Sequence, residues 1–420
     1  MGGGLMQLVA YGAQDVYLTG EPQITFFKVV YRRHTNFAIE SIKQTFNGSA
    51  GFGSEVSATI ARNGDLVTGM HLEVTATVAG EAEDYFTDAF GHYIVDEATL
   101  SIGGQKIDKH YGMWLELWDE LTGTSEKKAG YDAMVGKETG WAAAAAIGNV
   151  TNASGYDVSG SLVGSSGTKT FYIPLQFWFN RNPGLALPLI ALQYHEVKLD
   201  IKFAVAALGG VRLDGSGNVK AKVNASDLKC ELYVDYIYLD TEERRRFAQM
   251  SHEYLIDQLQ YQKESVAASS TATSAKPRLT FNHPVKELVW AQVSDGVRDV
   301  GDNFNFGTGL TTPNTNPISH AVLQLNGHDR FSVRTADYFR YVQPYYHHTR
   351  IPTKPVFSYS FALRPEEHQP SGTCNFSRID NAILNLTEAA NVSTSTLHIF
   401  AVNYNVLRVV SGMGGLAYSN

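Results

Sequence analysis

Histidine followed by glutamate is the first pattern in this sequence that could support catalysis. It occurs at His195-Glu196 and at His252-Glu253. The helix of a zinc protease needs a second histidine four residues after the first, so that both imidazoles reach one metal ion. Leu199 and Ile256 occupy those two positions. Because the second ligand is missing in both cases, we predict no zinc site at either place.

Two other groups of polar residues could form a site in a loop. His347-His348 lies between Pro344 and Pro352, and no cysteine or acidic residue close by in sequence completes a metal ligand set. Glu366-Glu367 is a pair of adjacent carboxylates in a proline-flanked turn. We interpret the histidine pair as an exposed turn and the two glutamates as solvated surface.

The glycine-rich segments are equally weak as nucleotide sites. Gly51-Phe-Gly53 and Gly103-Gly104 lack the Gly-Lys-Ser/Thr ending that a phosphate-binding loop requires, and they are typical of turns. The sequence contains no Gly-x-Ser-x-Gly nucleophile motif. We therefore predict that the chain is not an enzyme and has no catalytic residues, cofactor or metal ion.

Composition and charge argue against direct binding of nucleic acid. The 420 residues carry a net charge of −8, whereas nucleic-acid binding needs a basic surface. Two short basic clusters, Arg32-Arg33-His34 and Arg244-Arg245-Arg246, are interpreted as solvated or salt-bridged surface. Charged residues make up 18% of the chain, against about 25% in a typical protein. A low-charge surface suits a protein that is covered by its neighbours, although an ordinary β protein with large loops has a similar composition.

Cysteine usage and hydropathy indicate a soluble protein in a reducing compartment. Cys230 and Cys374 are far apart and form no disulfide framework. The N-terminus has no pattern of a secretory signal. The longest apolar stretch, 183–194, is too short to span a bilayer. We expect any membrane contact to be peripheral.

Period-two alternation of apolar and polar residues is the main secondary-structure signal. It is clear in segments 70–78, 197–203, 230–238 and 357–363. This period is typical of antiparallel strands with one buried face, and regular Gly, Asn and Pro turns between strands favour a sandwich or barrel.

Helical signals are few. Apolar residues recur at helical spacing from Met113 to Leu121, and Gly123 follows as a stop. Asp240 followed by Glu243 predicts the start of a short helix between two domains. Residues 123–167 and 267–276 are predicted to be long surface loops.

The two halves of the chain contain three short matches in the same order. Each pair joins a segment of the first half to one of the second half: 98–104 with 321–327, 171–175 with 359–363, and 233–236 with 401–404. Chance similarity between strands could explain any one match. Their common order favours a duplicated β domain, which could tile a surface if symmetry closes copies into a ring.

Four long segments resemble one protein family throughout the chain. They are Leu8-Val-Ala-Tyr-Gly-Ala-Gln-Asp-Val-Tyr-Leu-Thr-Gly20 with Pro22–Lys28, Asn182–Val197, Phe361–Ile379, and Asn403–Arg408 with Ser411–Tyr418. In these segments the sequence resembles the major capsid proteins of nucleocytoplasmic large DNA viruses, and most of all the algal-virus branch.

The resemblance implies an all-β fold, the double jelly roll, with two tandem eight-stranded antiparallel sandwiches and a few short helices in loops. The implied division is an N-terminal arm at 1–24, a first jelly roll at 25–240 and a second at 241–420. The arm would lie on the inner side of a shell and order only against something else. The loops at 123–167 and 301–317 would face outward.

The implied function is that of a structural major capsid protein. Three copies would form a homotrimer with six jelly rolls, a pseudo-hexameric capsomer, and capsomers would tile an icosahedral shell. Its partners would be copies of itself, neighbouring capsomers, minor capsid proteins and, only peripherally, the internal viral membrane. The protein would be located in the virion after assembly in the host cytoplasm.

Two rival functions and a modification remain open. The chain could be a paralogous capsid protein at special lattice positions, or a glycan-binding attachment protein that uses aromatic residues near 338–346. Relatives in the algal-virus branch carry glycans on outer loops, often outside ordinary sequons. The resemblance therefore makes Asn303, Asn314 and Asn316 candidate glycosylation sites, and Asn391 is a further candidate in a sequon. Residues 141–146 match no pattern of the family.

Overall fold

Most of the chain folds into two antiparallel β-sandwiches. The computed structural model describes residues 3–78, 84–137, 167–213, 219–299, 301–309, 312–390 and 392–418. We label the main strands of the first sandwich β1 to β8: Phe37–Gln44, Glu55–Thr59, Leu66–Val78, Val95–Ile102, Gln105–Tyr111, Gly167–Pro174, Val197–Phe203 and Ala225–Leu239.

These strands form two facing sheets. One has the order β1-β8-β3-β6 and the other has the order β2-β7-β4-β5. In β3, Leu72 and Val74 are fully buried while Glu73 between them is partly exposed. The alternation predicted from the sequence is therefore confirmed, and the apolar faces of the two sheets enclose the first core.

The second sandwich repeats this arrangement. Its strands β9 to β16 are His252–Val266, Ser274–Ala275 with Arg278–Leu279, Pro284–Ser294, Ile318–Leu325, His328–Asp329 with Arg334–Thr335, Phe357–Ser360, Ala382–Glu388 and Ser395–Val410. The sheet orders are β9-β16-β11-β14 and β10-β15-β12-β13. Both sandwiches thus have the same topology, with strand numbers offset by eight. This is the double jelly roll that the resemblance implied.

The sequence repeat maps onto equivalent strands. Segments 98–104 and 321–327 fall on β4 and β12 and on the turns that follow them. Both turns use two residues with positive φ, a geometry that favours Gly and Asn: Gly103 (58°), Gly104 (81°), Asn326 (50°) and Gly327 (82°). The other two matches fall on β6 with β14 and on β8 with β16. The duplicated domain predicted from these matches is therefore confirmed.

Short helices and additional strands decorate the sandwiches. The α-helices α1 to α9 are Gly3–Val9, Val16–Thr19, Phe90–Ile94, Gly112–Thr122, Ser125–Val135, Trp178–Arg181, Thr241–Gln249, Asp295–Arg298 and Gln343–His347. Further strands are Asp84–Phe86, Leu187–Pro188, Gly210–Leu213, Val219–Val223, Cys374–Asn375 and Met413–Leu416. Short 3₁₀ helices occur at Pro183–Leu185, Ala206–Leu208 and Phe376–Arg378, and a π-helical turn occurs at Tyr338–Val342. Within the described residues, we find no helix with the length and apolar character needed to cross a bilayer.

The two helices predicted from the sequence are present. α4 spans the predicted apolar repeat and ends before Gly123, and α7 follows Asp240, whose carboxylate accepts a hydrogen bond from the Thr241 N–H. The prediction of a continuous loop over 123–167 is wrong at its start, because α5 occupies Ser125–Val135. The alanine run at 142–146 lies outside the described residues.

Residues 1–37 form a separate unit. This unit contains α1 and α2, and the Asp15 side chain accepts a hydrogen bond from the Gly12 N–H. Residues 25–36, which the sequence assigned to the first jelly roll, contain no strand. The first strand begins only at Phe37.

Glutamine side chains on β9 join the two sheets of the second sandwich. Gln260 Nε2 donates to the Asn282 carbonyl at 2.6 Å, and the Asn282 N–H donates back to Gln260 Oε1 at 2.9 Å. Gln262 makes the same pair of bonds with the Arg278 carbonyl and the Thr280 N–H, at 2.7 and 3.1 Å. Each side-chain amide therefore donates one hydrogen bond to the backbone of 278–282 and accepts one from it, as a residue of a neighbouring strand would.

Replacing Gln260 with leucine is expected to lower the free energy of unfolding by about 1 kcal/mol. Water replaces in part the solvent-accessible bonds to Asn282, while the part-buried bond to Asn403 Oδ1 is lost as well. Urea denaturation measures the change. Gln249→Leu, on the exposed end of α7, is the control and should differ little from the wild type. Equal stability of the two variants would show that the bidentate pairing contributes nothing.

Candidate functional site

The junction between the two sandwiches is built around α4. Four apolar side chains at helical spacing face the second sandwich: Trp114, Leu117, Trp118 and Leu121. They pack in one cluster with apolar residues of β11 and β16 and with Phe304 and Phe306. Trp114 and Phe400 have ring centroids 5.4 Å apart. This face joins the two jelly rolls into one packed body.

A cluster of buried charges lies on the polar side of the same helix. The Glu116 side chain is fully buried, and Lys137 Nζ lies 2.9 Å from its Oε1. Lys137 also reaches Asp119 Oδ2 at 2.8 Å and Glu120 Oε1 at 2.7 Å. His92 Nδ1 lies 2.9 Å from Glu116 Oε2. Burying an unpaired charge is strongly unfavourable. Three carboxylates of one helix can be buried here because Lys137 and His92 pair with them.

The second sandwich inserts cations into this acidic cluster. Lys354 Nζ lies 2.8 Å from Glu116 Oε1 and 3.3 Å from Asp88 Oδ2. The Thr353 N–H and hydroxyl donate to Glu120 Oε2 at 3.0 and 2.8 Å. The segment between α9 and β14 thus binds the first sandwich through charge-assisted hydrogen bonds to buried carboxylates, which fixes the relative orientation of the two rolls.

The pKa values reflect this pairing. Burial by itself would raise the pKa of Glu116, but the ammonium groups of Lys137 and Lys354 and the His92 ring hold it well below its usual range. Burial would likewise lower the pKa of Lys354, yet Glu116 and Asp88 raise it. Both groups are therefore charged at neutral pH, and the cluster is a buried ion-pair network.

A second buried network surrounds His348. Its Nε2 lies 3.2 Å from Glu287 Oε2 and its Nδ1 lies 3.1 Å from Glu366 Oε1. Burial would lower the pKa of His348, but Glu287 and Glu366 raise it to about 9. The predictions of an exposed His347-His348 turn and a solvated Glu366 are therefore wrong for His348 and Glu366. Glu287 on β11, which no local pattern connects to His348, is the residue that sequence reasoning missed.

The C-terminal hairpin contacts the first sandwich. Strand Met413–Leu416 pairs with β16, the Tyr194 N–H donates to the Gly412 carbonyl at 3.0 Å, and the Gly414 N–H donates to His195 Nδ1 at 3.1 Å. A Cβ at Gly103 would lie 2.4 Å from the His195 ring, so only glycine fits there. His195 therefore contacts the C-terminal hairpin and packs against Gly103. Within the described ranges, no three His, Cys, Asp or Glu side chains converge to hold a metal ion.

Residues 1–37 carry many exposed apolar side chains. Phe26 is 88% exposed and Phe27 is 97% exposed. Other large apolar residues of this unit that are exposed include Leu8, Val9, Tyr11, Tyr17, Leu18, Ile24, Val29, Val30 and Tyr31. Exposed apolar surface of this extent is a common feature of interaction sites.

The second sandwich has an exposed aromatic surface at α9. Tyr345 is 69% exposed and Tyr346 is 71% exposed, and their rings make an edge contact with centroids 5.2 Å apart. Leu363 nearby is also exposed, and its carbonyl lies 3.0 Å from His347 Nδ1. This surface contains Tyr345 and Tyr346 of segment 338–346, the aromatic residues of the glycan-binding alternative.

The candidate glycosylation sites differ in accessibility. Asn314 is exposed. The Asn316 amide nitrogen donates to Asp337 Oδ1 at 2.8 Å. Asn303 is buried, and its amide nitrogen donates to the Thr87 hydroxyl at 3.1 Å. Asn391 lies outside the described residues. Accessibility therefore favours Asn314 and disfavours Asn303.

Comparison with known proteins agrees with this architecture. A family model described as "Major capsid protein N-terminus" matches residues 25–240, and one described as "Large eukaryotic DNA virus major capsid protein" matches residues 243–415. The major capsid protein of Pyramimonas orientalis virus is 51% identical over the full length of both chains. The major capsid protein of Paramecium bursaria Chlorella virus 1 is 46% identical, also over the full length of both.

Solved structures share the fold. A chain of the PBCV-1 virus capsid matches with a TM-score of 0.79 and 41% identity, covering 94% of this chain and 100% of that chain. The Faustovirus major capsid protein matches with a TM-score of 0.72 at 14% identity, over 95% and 94% of the two chains, which shows the fold alone. The topology and these matches define the class as double jelly-roll capsid proteins. The chain belongs to the family of major capsid proteins of large eukaryotic DNA viruses, and its role is the structural one of forming a capsid shell.

Proposed function

We propose that three copies of this chain form a homotrimeric, pseudo-hexameric capsomer and that capsomers pack into an icosahedral shell. The observation that carries the proposal is the identical strand order of the two sandwiches in one chain. Three chains closed by a threefold axis would present six similar jelly rolls, and closed symmetry limits the assembly to a defined size.

The buried charge cluster supports this role because a lattice unit must have a fixed outline. Lys354 and Thr353 bind the buried carboxylates of Glu116 and Glu120 in the first sandwich, and α4 packs on the second one. Two rolls held this way would act as one block. A flexible pair of domains would present a variable surface to its neighbours.

The exposed apolar side chains of residues 1–37, which comprise the proposed arm at 1–24 and the segment that precedes β1, support burial of this unit between copies. Obligate interfaces are large and more apolar than an ordinary surface. Phe26 and Phe27 are nearly fully exposed in the single chain, so association would remove much apolar area from water. In this proposal, residues 1–37 provide the main apolar contact between the copies of the trimer.

Purified protein at micromolar concentration is expected to give a light-scattering mass three times the 46.1 kDa of one chain. Combined substitution Phe26→Ser and Phe27→Ser should shift the mass toward that of the monomer, because it removes the apolar area that association buries. Size-exclusion chromatography with light scattering measures both.

The matched control is the pair Tyr345→Ser and Tyr346→Ser, which removes two similarly exposed aromatic rings from α9. This variant should stay trimeric, because the loops of the jelly rolls face outward in the proposed capsomer. A stable wild-type monomer would contradict the trimer. Equal dissociation of both variants would contradict the specific role of residues 1–37 in association.

We further propose the division into an arm at 1–24 and jelly rolls at 25–240 and 241–420. The family matches at 25–240 and 243–415 support it, and so does α7, which separates β8 from β9. Minor capsid proteins, neighbouring capsomers and, peripherally, an internal membrane are the proposed partners. The proposed site of assembly is the host cytoplasm, and the proposed role includes no catalysis.

Glycosylation of outer loops is proposed at Asn314 before Asn316 and Asn303, with Asn391 as a further candidate. The exposure of Asn314 supports this order. Attachment to host glycans is a second candidate function, favoured by the adjacent exposed rings of Tyr345 and Tyr346. A glycan array without hits removes that function, and the number of copies per virion separates a major protein from a paralogue at special positions.

A further inference from the structure

A cavity of about 380 Å³ opens at the junction of the two sandwiches. The first sandwich contributes residues of β4, β5, α4 and β7 to its wall. The second contributes residues of β9 and β16 together with Arg298, Asn303 and Phe304. Its volume lies in the range of about 300–1,000 Å³ that is usual for small-molecule sites, which often lie between domains. The cavity is therefore large enough for a molecule of two or three fused or linked rings.

The inner wall of the cavity is largely aromatic. Tyr93, Tyr111, Tyr261 and Phe304 line it, together with Met113. The Tyr111 and Tyr261 rings have centroids 4.5 Å apart. Aromatic side chains in this arrangement offer ring faces and edges to a flat ligand.

Positive charge predominates on the second-sandwich side. Tyr261 Oη lies 2.8 Å from His398 Nδ1. Burial, together with the positive charges of Arg298 and Lys263, lowers the pKa of His398 to about 4. The neutral imidazole therefore accepts a hydrogen bond from the Tyr261 hydroxyl at Nδ1 and carries its own proton on Nε2. Arg298 lines the cavity and its guanidinium lies 3.4 Å from Asp295 in a partly exposed pair.

The first-sandwich side is close to neutral. Lys202 lines the cavity and its Nζ lies 2.7 Å from Asp96 Oδ2, which also lines it. These two charges compensate each other. Asp295, the partner of Arg298, is not among the residues that line the cavity, whereas both members of the Lys202–Asp96 pair are. The lining side chains therefore carry a net positive charge from Arg298, which favours an anion.

We propose that this cavity is a binding site for a flat aromatic molecule that carries one anionic group. The rings would stack against Tyr111 and Tyr261, and the anion would pair with Arg298. A ligand in this place contacts both jelly rolls, so binding would stabilise their association within one chain. The proposal concerns the single chain and does not depend on the trimer.

Fluorescence titration of the full-length protein with anilinonaphthalene sulfonate tests the proposal. We expect saturable binding of one molecule per chain. Arg298→Gln should weaken it about tenfold, the usual effect of losing a hydrogen bond to a charged group. Uncharged phenylnaphthylamine should bind more weakly, and Arg298→Gln should leave its affinity unchanged.

Arg364→Gln is the matched control, because Arg364 pairs with Glu367 three residues away just as Arg298 pairs with Asp295. It should bind the sulfonate like the wild type. Met113→Trp should abolish binding by filling the cavity, and Val205→Trp at its exposed rim is the alternative if the first variant does not fold. Binding that does not saturate, or that survives both Arg298→Gln and the filling substitution, would overturn the proposal.

Discussion

Replacing Lys354 with methionine is expected to lower the free energy of unfolding by about 3–5 kcal/mol, the effect of removing one partner from a buried ion pair. The Lys354 ammonium bonds to Glu116, whose side chain has no solvent exposure, and to Asp88. Methionine retains most of the apolar stem but leaves the Glu116 carboxylate with one cation fewer. Urea denaturation followed by fluorescence measures the loss.

Lys202→Met is the matched control for this prediction. Lys202 forms a similar short ion pair with Asp96, but both side chains are about half exposed. Exposed pairs contribute at most about 1 kcal/mol. If Lys354→Met destabilises the protein no more than Lys202→Met does, the buried network does not hold the two rolls together.

A double substitution separates the ion pair from simple packing. Glu116→Gln removes the negative charge that Lys354→Met leaves buried. The combination of both is expected to be less destabilised than the sum of the single variants, because neither charge is left alone. Additive losses would show that the two side chains act independently.

The fold was largely predictable from local patterns. Alternation predicted β3, β7 and β8, helical spacing predicted α4, and the Asp240 cap predicted the start of α7. Each of these signals involves residues within one element, where side-chain direction follows directly from backbone geometry. The repeat was also recognisable, because equivalent strands and their positive-φ turns keep similar residues.

Strand β16 shows where alternation fails. Residues 399–405 are all buried, including Asn403 and Asn405, so this part of the strand has no solvent face. One face belongs to the second core, and the other packs against α4 through Phe400 and Val402. A strand covered on both faces reads as a continuous apolar run, which does not reveal what covers it.

The charged networks were not predictable for a different reason. Glu116 and Lys354 are 238 residues apart in sequence. A glutamate in an amphipathic helix is normally solvated, whereas Glu116 is buried among His92 and Lys137 of the first half of the chain and Lys354 of the second. In the same way, His348 meets Glu287 through the folding of the loop between β13 and β14 onto β11.

Wild-type stability is expected to fall as the pH rises from about 6.5 to about 9, and His348 is the cause. Burial is outweighed by Glu287 and Glu366, which raise its pKa from 6.5 to about 9. The folded protein therefore holds a proton that the unfolded chain releases in this window, so the stabilisation is complete below 6.5 and is lost through 9. Since one pKa unit corresponds to about 1.4 kcal/mol, the total change is about 3 kcal/mol.

His348→Gln is expected to be destabilised by a similar amount near pH 6.5, because glutamine leaves Glu287 buried without a cation. The variant should also lose this slope, because glutamine has no proton to release in this pH range. Two other shifted groups act below this window, because burial raises the pKa of Asp302 to about 6, and burial with Arg298 and Lys263 lowers that of His398 to about 4. Burial raises the pKa of Cys230 from 9.0 to about 12, so this thiol affects the slope only above about pH 9. His347→Gln, which alters a ring bonded to the Leu363 carbonyl, should keep the wild-type slope. Denaturation curves between pH 6 and 10 for the three proteins decide the matter. An unchanged slope in His348→Gln would mean that the proton is not held between Glu287 and Glu366.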